Sequence, residues 1–105
     1  MDIFTGTFGF DLTLDTGLDF TVLPENASLR LKIINPKGVT FDRPLNVLDI
    51  LEPYKLGNIV YKTKEGDFNI NGRYKLQVFI DSGDVKRGGN ITQLRVRKSL
   101  EFKGL

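Results

Sequence analysis

The stretch from residue 57 to residue 81, GNIVYKTKEGDFNINGRYKLQVFID, constrains the fold more than any other part of the chain. Its first segment alternates apolar and polar residues with a period of two, which is typical of a β-strand. A second strand is predicted to follow, because Tyr74, Leu76, Val78 and Ile80 share one face of an extended segment. The turn-forming residues KEGD lie between the two segments. Two strands joined by a short connection are therefore predicted.

A Gly-x-Tyr motif, Gly72 and Tyr74, stands at the entry of the second strand. In Ig-like sandwiches, a tyrosine near the start of a late strand forms the tyrosine corner. Its ring enters the core, and its hydroxyl bonds to backbone a few residues upstream. We therefore assign Gly72 and Tyr74 to a structural corner. The motif indicates a scaffold and contributes no chemistry.

The rest of the chain repeats short strand patterns separated by turn residues. Strands are predicted at residues 8–14, 29–33 and 39–42, followed by a last strand in which residues 88–90 form a bulge or a kink. In that strand Ile91, Leu94 and Val96 are predicted to point inward, which needs one bulge to reconcile their spacing. Residues 45–56 fit either a short strand at 45–48 followed by a loop, which we favour, or one helical turn that ends before Pro53. About seven short strands predict an all-β fold, an Ig-like antiparallel β-sandwich that forms a single domain over residues 1–105.

The composition removes most catalytic chemistry. The 105 residues include no cysteine and no histidine, so cysteine or histidine nucleophile systems and the usual zinc ligands are not available. We expect no enzyme, no cofactor, no metal and no small-molecule substrate. The net charge of +2 does not favour a nucleic-acid partner. The N-terminus lacks the pattern of a signal peptide, and no apolar stretch is long enough to cross a bilayer, so no membrane association is expected.

The order of these motifs resembles a small Ig-like domain of tailed-phage virion proteins, of the type found in tail, baseplate and head-fibre proteins. It is similar to the N-terminal domain of the phage baseplate upper protein. The resemblance covers roughly residues 10–96, and two features depart from it: Tyr74 stands where many members have tryptophan, and residues 45–56 form a long insert. The matching segments are residues 14–17 (LDTG), 31–38 (LKIINPKG), 57–63 (GNIVYKT), 66–67 (GD) and 72–78 (GRYKLQV).

This resemblance implies a non-enzymatic structural component of a virion, made in the cytoplasm of a bacterial host. Its partners would be other virion proteins, and the chain would form a homo-oligomer or part of a symmetric assembly. The alternative function is a stand-alone Ig-like binding module for a glycan or a host-surface ligand. The absence of tryptophan counts against that alternative, since sugar sites favour exposed aromatic rings.

Apolar residues near both ends of the chain are candidates for contact with partners. Residues 1–7 and 99–105 either extend the first and last strands or serve as docking arms on neighbouring subunits. An outward-facing phenylalanine in the predicted strand after Gly72 would add to an apolar contact patch. The candidate contact residues are Ile3, Phe4, Phe79, Leu100, Phe102 and Leu105.

Charged residues suggest two further features. Six basic side chains occupy outward positions of predicted strands: Arg30, Lys32, Arg73, Lys75, Arg95 and Arg97. They form either a solvated face that blocks edge pairing, which we favour, a phosphate-binding stripe, or a salt-sensitive contact with an acidic subunit. Two acidic pairs, Asp81 with Asp84 and Glu65 with Asp67, fit turn chemistry better than calcium ligation or glycosidase chemistry.

Overall fold

The computed structural model of the chain describes residues 2–21, 23, 27–83 and 86–100. The all-β prediction is confirmed, since helical structure in this part of the chain amounts to two short 3-10 turns, at Val47–Asp49 and Tyr54–Leu56. Strands form where apolar and polar residues alternate. The strands are β1 (Asp2–Phe4), β2 (Asp11–Asp15), β3 (Ser28–Ile34), β4 (Thr40–Leu45), β5 (Asn58–Lys62), β6 (Gly72–Asp81) and β7 (Lys86–Arg97).

These strands form a larger and a smaller sheet. The five-stranded sheet has the order β1-β7-β6-β3-β4, and the two-stranded sheet pairs β2 with β5. Every pair is antiparallel except β1 and β7, which run parallel. The five-stranded sheet is therefore mixed, and the predicted antiparallel arrangement is wrong for β1. In this parallel pair, Ile3 of β1 lies beside Val96 of β7, and both side chains belong to the core.

Buried side chains of both sheets contribute to one hydrophobic cluster. From the larger sheet, β3 and β6 supply most of the cluster, and from the smaller sheet, β2 and β5 supply further members. Burial of each such side chain contributes roughly 1.5–3 kcal/mol. The members from these four strands are Leu12, Leu14, Leu29, Leu31, Ile33, Ile59, Tyr61, Tyr74, Leu76, Val78 and Ile80. Side chains at the alternate positions consequently point away from the core on each sheet.

The entry of β6 is fixed by close packing and by one hydrogen bond. Gly72 has φ of +134°, and a Cβ there would lie 2.7 Å from Cγ of Pro36. The ring of Tyr74 is buried, and its hydroxyl accepts a hydrogen bond from the backbone N–H of Ile70 at 3.2 Å. The ring of Phe68 packs edge-on against the ring of Tyr74, with 5.1 Å between the two ring centroids. The Tyr74 hydroxyl therefore connects β6 to backbone four residues upstream of Tyr74.

Two sequence predictions for the outer strands need correction. The strand predicted at residues 8–14 begins only at Asp11, and Phe8 is 53% exposed, because glycines with positive φ at residues 6 and 9 turn the chain before it. In β7 the predicted bulge is confirmed, since two residues are skipped between the pairs Gln77–Ile91 and Phe79–Gly88. Ile91, however, is 58% exposed, because the bulge precedes it and none lies between Ile91 and Leu94, so ordinary alternation puts Ile91 on the face opposite to Leu94 and Val96.

Candidate functional site

The connection between β4 and β5, residues 46–56, is an ordered surface segment, here called the apolar connection. The favoured strand at residues 45–48 is wrong, because β4 ends at Leu45 and a 3-10 turn follows. The side chain of Asn46 accepts from Leu48 N–H, and that of Asp49 accepts from Asn46 N–H, both at 2.9 Å. This capping box fixes the turn locally. The Asn-x-x-Asp spacing was the sequence signal for it.

Backbone contacts hold the apolar connection on the two-sheet core. Ile50 is buried and forms a bridge with Ile59 of β5. The N–H of Leu51 donates to the carbonyl of Asn58 at 2.9 Å, and the N–H of Phe20 donates to the carbonyl of Tyr54 at 3.0 Å. These bonds anchor the segment at its middle and at its second 3-10 turn. The segment therefore has one defined conformation in the structure.

The apolar connection nevertheless exposes a run of large apolar side chains. The side chain of Leu48 is 89% exposed, although leucine is one of the residue types most often buried in folded proteins. The anchoring contacts use Ile50 and backbone groups, so the exposed side chains do not contribute to the core. Exposed apolar clusters of this kind mark interaction sites. The exposed members are Val47, Leu48, Leu51, Tyr54 and Leu56.

The chain ends differ from each other. Ile3 lies in the core of its own chain, where β1 extends the sheet, so Ile3 is not a docking residue. Phe4 is 53% exposed on the same strand. Leu100 is fully exposed, although the N–H of the neighbouring Ser99 donates to Oγ1 of Thr5 at 2.9 Å. Two further predicted contact residues, Phe102 and Leu105, lie outside the described residues, as does Asp84 of the acidic pair.

Phe79 points outward on β6 but does not form an open apolar patch. Its ring is half-buried, with the ammonium group of Lys32 5.5 Å and that of Lys86 5.3 Å from the ring centroid. Cations at these distances are attracted to the electron-rich ring face. The predicted contact through Phe79 is therefore covered by two lysine side chains from neighbouring strands.

The six predicted basic residues separate into two groups on the outer face of the larger sheet. Arg30 pairs with Asp42 at 3.8 Å and with Asp81 at 3.4 Å, and Lys32 lies on Phe79. At the other end of the sheet, Arg73 and Arg95 are directly opposite each other on β6 and β7. Lys75 and Arg97 follow at the next outward position on their strands. The stripe is thus interrupted, and a compact cluster remains.

A shallow cleft accompanies this cluster. Its volume is about 460 Å³. Arg95, Arg97 and Lys98 line it together with Phe4 and Asn71. Sequence periodicity placed the basic residues on outward positions, but the concave shape depends on β1 joining the edge of β7. The sequence carried no signal for that shape.

The acidic residue Asp67 has a structural environment that the sequence did not reveal. Its side chain is completely buried and accepts from Arg43 Nε at 2.9 Å, from the Tyr61 hydroxyl at 2.5 Å and from the Lys64 N–H at 2.8 Å. Burial, followed by the bond to Asp67, raises the pKa of Tyr61, and the same carboxylate raises the pKa of Arg43. These donors occupy both carboxylate oxygens, whereas Glu65 faces solvent.

Residues 2–21, 23, 27–83 and 86–100 contain no group of three or more acidic side chains placed to hold a metal ion. Within the same residues, no helix has the length and apolar character needed to cross a membrane.

A scan against protein-family models found no match to the chain, and neither did searches of curated proteins and of solved structures. The functional argument therefore depends on the surfaces described above.

Proposed function

We propose that this chain is a non-enzymatic structural component of a tailed-phage virion, a small Ig-like β-sandwich that packs and docks against neighbouring subunits. Two sheets that share one core support the sandwich arrangement. The bond between the Tyr74 hydroxyl and the Ile70 N–H supports its Ig-like character. The parallel strand β1 and the two-stranded second sheet distinguish this chain from a regular Ig domain.

The observation that carries the docking role is the apolar connection. It exposes five large apolar side chains on a backbone that a capping box, a β-bridge and two hydrogen bonds hold in place. A surface that is ordered before binding loses little conformational entropy when a partner covers it. Large apolar and aromatic side chains are also the groups that form the buried centre of interfaces. The apolar connection therefore suits docking against another virion protein.

The chemistry of the described residues supports a non-catalytic role. The buried carboxylate, Asp67, already accepts hydrogen bonds from Arg43, Tyr61 and the backbone of Lys64. A carboxylate that acts as a general base must reach a substrate proton directly or through one water. Asp67 is completely buried, so it stabilises the fold and is not placed for such a reaction.

The test is incorporation of the chain into particles. Purified phage particles from a producing culture would be separated by density, and an antibody against the chain would measure its amount per particle. We expect a fixed number of copies in wild-type particles. Leu48→Asp with Leu56→Asp should lower incorporation at least tenfold, because two charges would have to be buried at the interface.

The matched control is Val39→Asp, since Val39 is 50% exposed but lies in the turn between β3 and β4. Particles with this variant should contain normal amounts of the chain, and circular dichroism should show that all variants fold. Absence of the wild-type chain from purified particles would contradict the virion role. Saturable binding of the monomer to immobilised glycans would instead favour a stand-alone binding module.

A further inference from the structure

A second cleft lies between β4 and the turn at residues 66–70 and is called the turn cleft below. Its volume is about 260 Å³. Pockets that hold drug-sized ligands measure roughly 300–1,000 Å³, so the turn cleft suits a group the size of one amino-acid residue. The residues that line it include Phe41 and Ile70, which are apolar, and Asn35, Asp67, Asn69 and Tyr74, which carry polar groups.

The side chain of Asn35 brings an unused donor to this cleft. Asn35 is only 7% exposed. Its Oδ1 accepts from the N–H groups of Lys37 and Val39, both at 2.9 Å, and these two donors fix which end of the amide is the oxygen. The NH2 group at the other end donates to no group that the structure describes. Polar groups that are buried this far normally have a partner, so this NH2 group indicates a place for an acceptor from outside the chain.

The other polar groups of the turn cleft have already used their acceptor atoms. Both carboxylate oxygens of Asp67 accept hydrogen bonds from within the chain, and the hydroxyl oxygen of Tyr74 accepts from the N–H of Ile70 at 3.2 Å. The hydroxyl hydrogen of Tyr74 has no acceptor among the described groups. The half-buried side chain of Asn69 adds an amide, which can both donate and accept. The cleft therefore offers more donors than acceptors.

This excess of donors selects the chemistry of the ligand. A sugar brings hydroxyl hydrogens that need acceptors, and the oxygens of Asn35 and Asp67 are occupied. An anion would lie beside the Asp67 carboxylate, whereas Arg43, which pairs with that carboxylate, is not among the described residues that line the cleft. A carbonyl oxygen is an uncharged acceptor, and Phe41 and Ile70 offer apolar surface to a side chain next to it.

The strand beside the cleft is open to an extended peptide. β4 is the last strand of the larger sheet, and among the described residues it pairs only with β3. The carbonyl of Val39 accepts from the N–H of Asn35, so alternation along the register directs the N–H groups of Thr40 and Asp42 away from β3. Pro44, the next residue in this series, has no N–H and ends the open stretch. A short extended segment can therefore pair with β4 next to the turn cleft.

We infer that the turn cleft binds an uncharged peptide segment of a partner protein. The NH2 group of Asn35 donates to a main-chain carbonyl of that segment, with the hydroxyl of Tyr74 as a further donor. The apolar side chain next to this carbonyl packs on Phe41 and Ile70. None of the lining residues belongs to the apolar connection, so this site goes beyond the proposed function and does not depend on it.

Three small probes separate the possible chemistries. N-acetyl-leucine N-methylamide carries peptide carbonyls and an apolar side chain, methyl glucoside carries hydroxyl groups, and sodium acetate carries an anion. Each would be titrated into the ¹⁵N-labelled chain, and NMR would follow the backbone N–H signals and the side-chain NH2 signals of Asn35 and Asn69. The amide should bind with a Kd of about 1 mM, which is usual for a ligand of this size. The glucoside and acetate should bind at least about tenfold more weakly.

Asn35→Asp tests the unused donor. The variant keeps an oxygen for the N–H groups of Lys37 and Val39, so the turn should still form. Its affinity for the amide should fall about tenfold, because a second oxygen replaces the NH2 group and faces the carbonyl oxygen of the ligand. Asn71→Asp is the matched control, since Asn71 is exposed and does not line the cleft, and it should bind the amide as the wild-type chain does. Asn69→Ala, at a half-buried position, should weaken binding about threefold and replaces Asn35→Asp if that variant does not fold.

A folded wild-type chain whose turn-cleft signals do not respond to the amide would overturn the inference. So would tighter binding of the glucoside or of acetate than of the amide, because the cleft would then recognise a different chemistry. Amide binding that is unchanged in both Asn35→Asp and Asn69→Ala would also contradict it. The amount of the chain in particles is measured separately, so the peptide site and the virion role can each fail without the other.

Discussion

Replacement of Asp67 by asparagine tests the energetic role of the buried carboxylate. The side chain of Asp67 is fully buried and accepts from Arg43, Tyr61 and the Lys64 N–H. Asparagine keeps the shape but has one acceptor oxygen and one NH2 group. If the oxygen faces Arg43, the NH2 group faces the Tyr61 hydroxyl and the Lys64 N–H, and the part-buried N–H loses its acceptor.

The magnitude follows from these contacts. An unpaired buried backbone donor costs about 1–3 kcal/mol, and loss of a buried charge partner costs about 3–5 kcal/mol where both groups are fully buried. The Arg43 side chain is 27% exposed, so water compensates part of the second loss. We therefore expect Asp67→Asn to lower the free energy of unfolding by about 3 kcal/mol.

Urea denaturation at pH 7 measures this change through the midpoint, provided that the slope with denaturant stays constant. Arg43→Met and the double variant complete a thermodynamic cycle, and the coupling energy between the two sites should exceed about 1 kcal/mol. Glu65→Gln is the matched control, since Glu65 is exposed in the same turn, and it should change stability by less than about 0.5 kcal/mol. A loss below about 1 kcal/mol for Asp67→Asn would refute the argument that the carboxylate stabilises the fold.

Two other predictions concern the backbone and alkaline pH. Gly57→Ala should lower the free energy of unfolding, measured by urea denaturation, by about 2 kcal/mol more than Gly38→Ala does. Both glycines have positive φ, but only at Gly57 would a Cβ overlap backbone atoms of Leu18. Equal losses for the two variants would contradict this clash. Burial raises the pKa of Tyr61 and of Tyr74, so the unfolded chain loses these protons at lower pH than the folded chain does. The free energy of unfolding should therefore be unaffected by these two groups below about pH 10 and should fall as the pH rises further. Tyrosinate absorbance should appear at higher pH in the native chain than in urea, and Tyr61→Phe should flatten the decline in stability.

Local patterns were sufficient for most of the strands. The predicted strands at residues 29–33 and 39–42 lie within β3 or at the start of β4, and the two strands pair with each other. Side-chain direction in a strand depends only on parity, so the sequence shows which residues share a face. The prediction for Ile91 was wrong because it required a bulge between Ile91 and Leu94, whereas the bulge of β7 lies before Ile91 and leaves that side chain exposed. The Asn-x-x-Asp spacing of the capping box is present in the sequence, but the apolar residues around it favoured a strand.

The surfaces were less predictable than the strands. Sequence alone placed Arg73 and Arg95 on outward positions, but only strand order made them direct neighbours and gave Arg30 its acidic partners. The same holds for Asp67, whose ion-pair partner Arg43 lies 24 residues away, so a turn acid could not be recognised as a buried one. Long-range pairing depends on topology, and no local pattern encodes it.

The sequence by itself determined the all-β class, the faces of the strands and the absence of histidine and cysteine chemistry. These properties follow from residue type and from a period of two, which both act locally. Tertiary structure alone decided that Ile3 is buried, that Leu48 is exposed and that Asp67 is buried against Arg43. Burial and charge clustering depend on which strands become neighbours, and those contacts form between residues far apart in the chain.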